Sequence, residues 1–286
     1  MYKGLSPGAI GVRTGSLLEA IAAAHQHRFG GVEFNASEVA NLIEQEGAET
    51  VCSLFDSVGV RAAGFGLPTD WRTTEENWRK GLEELPRLAK AAAAIGGGRT
   101  MTWILSCSNE RNFDQNWRFH VARFRPIAEI LGEHGCALGL EFLGPKTIRD
   151  SQRFPFVHTM EAMVAMGQEI GTNVGLLLDC WHWHTSAGTL EELHHLKAEQ
   201  VVYVHVNDAP VGVALDDYVD NVRGLPGETG VIDIAGFLRA LQTIGYDGPV
   251  TPEPFKKELS ALSSDEERLR VVAASMDKIF AHLATA

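Results

Sequence analysis

The sequence predicts a single closed (β/α)8 barrel, the TIM-barrel fold, over residues 1–286. Three observations predict it. Eight short β-type runs alternate with longer stretches of helical periodicity. Several of those runs are almost wholly apolar, as parallel strands covered on both faces are. No low-complexity linker breaks the alternation, so the chain reads as one domain. An open, doubly wound sheet permits the same alternation, but its glycine-rich phosphate fingerprint is missing. Gly96-Gly97-Gly98 precedes a strand instead of following one.

The predicted strands are Ala9–Val12, Gly31–Phe34, Val60–Gly66, Thr100–Leu105, Ala137–Glu141, Val174–Asp179, Val201–Val206 and Pro249–Glu253. Between them, helical spacing is clear. Ile234, Phe237, Leu238, Leu241 and Ile244 share one face, with Asp233 placed as N-cap. Leu269, Val272, Met276, Phe280 and Leu283 do the same in the last helix. Gly30, Gly59, Gly96, Gly135, Gly171 and Gly245 follow helices, where a left-handed residue is wanted. The stretch Asn207–Ile232 is polar, rich in Asp and Gly, and too long for an ordinary connector. On a barrel it is a βα loop on the face that carries active sites: a lid candidate, or mere decoration.

Composition narrows the partners. With 45% hydrophobic residues the chain can bury a large core. The 37 acidic against 25 basic residues give a net charge of −12, which opposes nucleic-acid backbones and anionic membranes. Cys52, Cys107, Cys136 and Cys180 lie far apart, so neither a thiolate zinc cluster nor a disulfide framework is expected. MYKGLSPGAI lacks the basic and apolar regions of a secretory signal, and no apolar run reaches membrane-span length. The expectation is a cytoplasmic protein with a small-molecule substrate.

Ligand-type side chains recur at the ends of four successive strands. LGLE ends at Glu141, LLLD at Asp179 and PVTPE at Glu253, while VVYVHVND contains His205. A lone strand-end Glu is commonly a solvated or capping group, and a lone His in an apolar strand is commonly satisfied locally. Four together are far more specific. Three carboxylates and an imidazole converging on the mouth of a barrel require a counter-charge, and a divalent metal supplies it. An oxygen-rich set with one nitrogen suits Mn2+ or Mg2+, with Co2+ and Zn2+ also compatible.

The wording around these residues resembles the xylose-isomerase-like barrels, the sugar isomerase/epimerase group that also contains endonuclease IV. GLEF around Glu141, LLLDCWHWH around Asp179, VHVND around His205 and LPGETGVIDIAGFLRALQTIGYDGPVTPEPF carry the resemblance. The second half is most similar to the inosose (2-keto-myo-inositol) isomerases. The resemblance implies that Glu141, Asp179, His205 and Glu253 bind one divalent metal, Mn2+ foremost. It implies that Glu141 and Glu253 face opposite sides of the substrate as acid and base, and that His182 contacts a substrate oxygen. Arg223 takes the place of a substrate-contacting arginine, a solvated loop arginine being the equal alternative. Family members are commonly dimers or tetramers, so a homo-oligomer stays open.

The function implied is isomerisation or epimerisation of a small keto-sugar or keto-polyol, an inosose among them, through an enediolate. Proton return to the neighbouring carbon isomerises, and return from the opposite face epimerises. Loss of a β-hydroxyl from the same intermediate makes the enzyme a lyase, the first alternative. A noncatalytic metal- or sugar-binding barrel is the second. FLGPKTIRD after Glu141 lacks the pattern expected of ketohexose 3-epimerases. The trinuclear nuclease reading lacks its extra histidines: Asn207–Gly230 contains none.

Weaker features complete the reading. Trp103 walls the pocket or simply packs. His184 shares parity with His182 and is a second candidate substrate contact, its placement left open. Glu33 ends a strand, with a buried arginine pair as its expected partner. His194 and His195 are read as a solvated helix face, His25 and His27 as a helix end. Cys180 is read as small buried filler.

Overall fold

A computed structural model describes residues 1–283 of the chain. Eight parallel strands close into a barrel: β1 (Tyr2–Leu5), β2 (Gly31–Glu33), β3 (Arg61–Gly66), β4 (Arg99–Ile104), β5 (Ala137–Phe142), β6 (Val174–Asp179), β7 (Val201–Val206) and β8 (Pro249–Pro252). They neighbour one another in chain order, and β8 pairs with β1 at Tyr2↔Pro249 and Lys3↔Val250. Short segments Cys107–Ser108 and Phe154–Pro155 form an antiparallel ribbon beyond β4 and β5.

Seven predicted strands lie within two residues of their observed bounds. The first does not. The strand is Tyr2–Leu5, and Ala9–Val12 instead lies in and after the 3-10 turn Gly8–Ile10. The apolar letters misled because Ile10 and Val12 are indeed buried. Their N–H groups, however, both donate to the Pro7 carbonyl, and Gly11 turns the chain at φ 71°. Apolar content reports burial, and here turn chemistry decided the backbone.

Helices cover the outer faces of the strands. Leu138, Leu140 and Phe142 on β5, like Leu176 and Leu178 on β6, belong to the large cluster shared with those helices. The opposite parity faces inward, where Ala63, Met101, Leu177 and Tyr203 fill the barrel interior. The helix Ile234–Thr243 buries Ile234, Phe237, Leu238 and Leu241, and Asp233 caps it by accepting from the Gly236 N–H. The last helix, Asp265–Ala281, buries Leu269, Val272 and Met276 with Ile279; Phe280 is only half-buried and Leu283 lies past its end.

Gly59, Gly96, Gly135 and Gly245 have the left-handed φ expected after a helix. Gly30 and Gly171 do not: after the first long helix Arg28 adopts φ 59°, and Gly171 is extended at φ 179°. All four cysteines are free thiols. No helix among the described residues is long and apolar enough to cross a membrane.

The long connection between β7 and Ile234–Thr243 is tied down from inside. The fully buried Asp208 carboxylate accepts from the N–H groups of Ala209, Thr229, Gly230 and Ile232. A backbone bridge, Asp208 to Gly224, closes the loop on itself. Arg223 is thereby held next to the barrel mouth.

Candidate active site

Strand register brings the ligand-type side chains together. Asp179 on β6 is the lateral partner of His205 on β7. His205 is in turn paired with Thr251 on β8, and Glu253 follows Thr251 by two, on the same face. Trp103 on β4 pairs with Glu141 on β5, so both share the inward face. One donor atom from each of Glu141, Asp179, His205 and Glu253 lies within 4.8 Å of the others. His205 Nδ1 stands 3.7 Å from Glu141 Oε1 and 3.5 Å from Glu253 Oε1.

The cluster is buried, with Asp179 at 0% and Glu141 at 5% exposure. Two of its atoms, Glu141 Oε1 and His205 Nδ1, are buried without any hydrogen-bond partner. Orphaned polar atoms of this kind are costly unless something binds them. An acidic oxygen and an imidazole nitrogen aimed at one point among carboxylates fit a divalent cation by donor chemistry. Burial, joined by Glu253 and Asp179, pushes the Glu141 carboxyl up to about 8. Burial disfavours charge on His205, but Glu253 and Glu141 outweigh it and hold its pKa well above the ordinary value. Burial acts against Glu253 too, yet His205 and Arg223 lower its carboxyl to about 2.

Arg223 is buried, which removes the solvated-loop alternative. Its Nη1 donates to Asp179 Oδ2 at 2.7 Å and to Glu253 Oε2 at 3.0 Å. Its Nη2 donates to Asp220 Oδ1 at 2.8 Å, and its Nε to the Asp220 carbonyl at 2.8 Å. The Trp181 and Phe255 rings lie 5.3 Å and 4.7 Å from its guanidinium carbon. The guanidinium thus arranges the carboxylates on β6 and at the end of β8.

Asp179 Oδ1 accepts from the Trp181 N–H at 2.8 Å, capping the short helix Cys180–Thr185, and from Asn207 Nδ2 at 3.0 Å. On that helix His182 turns to the site. Its Nδ1 accepts from the Gly144 N–H at 3.2 Å, and its Nε2 lies 3.3 Å from Arg223 Nη2, which can only donate, so both ring nitrogens face donors. Burial and the neighbouring Arg223 lower its pKa to about 3, so the ring is neutral. Gly144 permits this approach: a Cβ there would fall 2.2 Å from the His182 carbonyl oxygen.

His184 does not take the side that strand parity would give it. Because Cys180–Thr185 is helical, residues two apart point to different sides, and the His184 ring packs edge-on to Tyr218 at 5.6 Å. Trp103, 45% exposed, stands at the mouth. Glu33 meets no arginine. Its Oε1 accepts from the Tyr203 hydroxyl at 3.0 Å, and Thr251 Oγ1 donates to that hydroxyl at 2.9 Å. Cys180 is fully buried, and burial raises its thiol well above the ordinary range. A cavity of about 800 Å3 opens on the β1–β3 side, bordered by Ser6, Arg13, Glu33, Asn35 and Glu38.

Asn207, Asp220 and Gly144 escaped sequence reasoning. Asn207 adjoins the VHVND signal and could have been found there. Asp220 lies three before Arg223, a spacing that means contact on a helix but carries no such meaning in a loop.

Fold and mouth define the class, a (β/α)8 barrel with its site at the C-terminal ends of the strands. The chain belongs to the xylose isomerase-like TIM barrel family, whose model matches residues 21–279. It is 31% identical over 144 residues to the inosose isomerase of Halalkalibacterium halodurans, a match covering 49% of this chain and 47% of that protein. The chain therefore spans about half the length of that curated relative. It is 31% identical over 244 residues to a 3-dehydroshikimate dehydratase of Pseudomonas putida, covering 83% of this chain and 35% of the relative. A solved xylose isomerase domain protein from Alicyclobacillus acidocaldarius is 29% identical, with TM-score 0.85 over 99% of both chains.

Proposed function

We propose that this barrel is a divalent-metal-dependent isomerase or epimerase of a small keto-sugar or keto-polyol, an inosose among the candidates. The observation that carries the reading is the pair of buried, unpartnered atoms Glu141 Oε1 and His205 Nδ1, set among two further carboxylates. Glu141, Asp179, His205 and Glu253 would hold the ion, Mn2+ first and Mg2+, Co2+ or Zn2+ next. When bound, it supplies Lewis acidity beside the reacting carbonyl, favouring negative charge there.

The protein's own groups do the proton work. Arg223 bonds Glu253, and among the described residues no hydrogen bond or ion pair joins it to Glu141, so the two carboxyls are unequal. Glu253 keeps its charge and takes the proton from the carbon next to the ketone. Glu141, on the other side of the substrate, serves as the second acid/base. Return to the neighbouring carbon moves the carbonyl, and return from the other face inverts the centre. His182 contacts a substrate oxygen, Trp103 walls the mouth, and Arg223 draws Asp179 and Glu253 together and orients them. His184 is left to packing with Tyr218. The small-molecule substrate enters at the mouth, and a homo-oligomer is compatible with the reading.

Expulsion of a β-hydroxyl from the same enediolate is the second reading. The match to a dehydratase over most of this chain favours keeping it. The deciding experiment incubates the Mn2+-loaded protein in D2O with a panel of inososes, ketoses and keto-glycosides. Deuterium wash-in at the α-carbon is expected for at least one. Water or aglycone loss by mass separates the lyase, and no exchange with any of them sinks the acid/base reading in favour of a binding protein.

A further inference from the structure

Arg72, in the loop after β3, crosses the end of β4. Its guanidinium carbon lies 4.4 Å from the Trp71 ring centre and 4.0 Å from that of Trp103. Trp71 is rigidly held: it is buried against Phe124 and His120, and its Nε1 donates to Thr102 Oγ1 at 3.3 Å. Arg72 Nη2 donates to the same Thr102 Oγ1 at 3.1 Å and to the Trp103 carbonyl. Stacking and these two bonds fix the guanidinium in one place.

Its Nε and Nη1 have no partner among the described residues, and no carboxylate pairs with it. The Arg72 side chain is exposed, so these groups are open to a ligand. Asp70, two residues away, turns instead to the Thr73 hydroxyl at 2.8 Å. The cation borders a cleft of about 340 Å3 together with Trp103, Ser108, Asn109, Gln152 and Arg111, the last paired with Glu110, which also lines the cleft, at 3.4 Å. Trp103 is also the lateral partner of Glu141, so the cleft adjoins the site across a single side chain.

We propose that this rim is an anion subsite, and that the substrate is an acidic keto-polyol whose carboxylate or phosphate rests on Arg72 while its ketone end lies at Glu141 and Glu253. The proposal builds on the hydroxy-ketone reading of the mouth. A substrate with an anionic tail meets repulsion from the three carboxylates, and a fixed cation at the rim offsets it and sets the tail's direction. A stacked, preorganised guanidinium loses little freedom on binding, which suits recognition better than a free lysine.

The test uses three probes that share one hydroxy-ketone end: D-fructose, D-fructuronate and D-fructose 6-phosphate. Calorimetric titration into the Mn2+-loaded protein should show the carboxylate, the phosphate or both binding about ten- to a hundredfold tighter than fructose. Arg72→Gln should erase that preference, and Arg72→Lys should keep part of it. The arm that gains identifies the tail. Equal affinity for all three, no binding of any, or a preference surviving Arg72→Gln overturns the proposal. The wild-type comparison alone decides if a variant does not fold. Discrimination without deuterium exchange on any ketone would defeat the isomerase reading and leave the subsite standing.

Discussion

The Arg223 guanidinium joins two barrel strands: one nitrogen donates to Asp179 on β6 at 2.7 Å and to Glu253 beyond β8 at 3.0 Å. A residue from a long loop thereby neutralises part of a buried carboxylate cluster. Such a cluster is expensive without compensation, since each unpaired buried charge keeps its desolvation penalty.

Arg223→Gln should therefore destabilise the chelator-treated protein by about 3 kcal/mol or more. Added Mn2+ should recover part of that loss, because the ion takes over the counter-charge. Thermal melts of wild type and variant, each with and without Mn2+, measure this. Equal melting temperatures in EDTA would show that the arginine's ion pairs contribute nothing net.

Glu253→Gln removes the proposed base while keeping its shape. Deuterium wash-in on a responsive ketone should fall about a hundredfold or more. Metal content by mass spectrometry, taken on the same sample, separates lost chemistry from lost ion. Full exchange in the variant would move the base elsewhere.

Cation binding should be strongly pH-dependent. Burial places the Glu141 carboxyl at about 8, so below that pH a proton competes for the oxygen the ion needs. Mn2+ affinity should fall as the pH drops from 8 to 6, by about tenfold per unit for each proton displaced. Titrations in buffers of different ionisation enthalpy should register proton release. The sign for stability follows from the same shift: with chelator present, Glu141 contributes fully below its unfolded pKa and loses that contribution as the pH rises through 8. Metal affinity flat over this range would exclude Glu141 as a ligand.

Asp208 clasps the β7 loop through four backbone N–H groups. Asp208→Ala leaves them unpaired, at about 1–3 kcal/mol for each that water does not reach. The loop between residues 209 and 231 should become the first site of proteolytic cleavage, and Arg223 should lose its seat. Limited proteolysis followed by mass mapping reads this directly; an unchanged cleavage pattern would show that the loop is held by other contacts.

Seven barrel strands were legible because buried parallel strands write continuous apolar runs between amphipathic helices. The first was not: YKGL is short and half polar, while the buried Ile10 and Val12 mimicked a strand. Glu141, Asp179, His205 and Glu253 were legible as a set, since each ends or nearly ends a strand and barrel closure aligns strand ends. His184 stayed open because a period of two and the helical period place it on different sides, and the helix decides between them. Arg72 carried no signal at all, because a loop arginine looks the same whether solvated or clamped between two tryptophans.

The sequence by itself determined the barrel and the four residues that meet at its mouth, because alternation and strand-end placement are local patterns that closure turns into geometry. Only the tertiary structure decided what surrounds them. Arg223 pairs with Asp179 and Glu253 because Asp208 folds its loop inward, and Arg72 stands at the rim because its guanidinium lies against both Trp71 in the loop after β3 and Trp103 on β4. These contacts depend on how loops pack over the barrel, and loop packing leaves no period in the sequence to read.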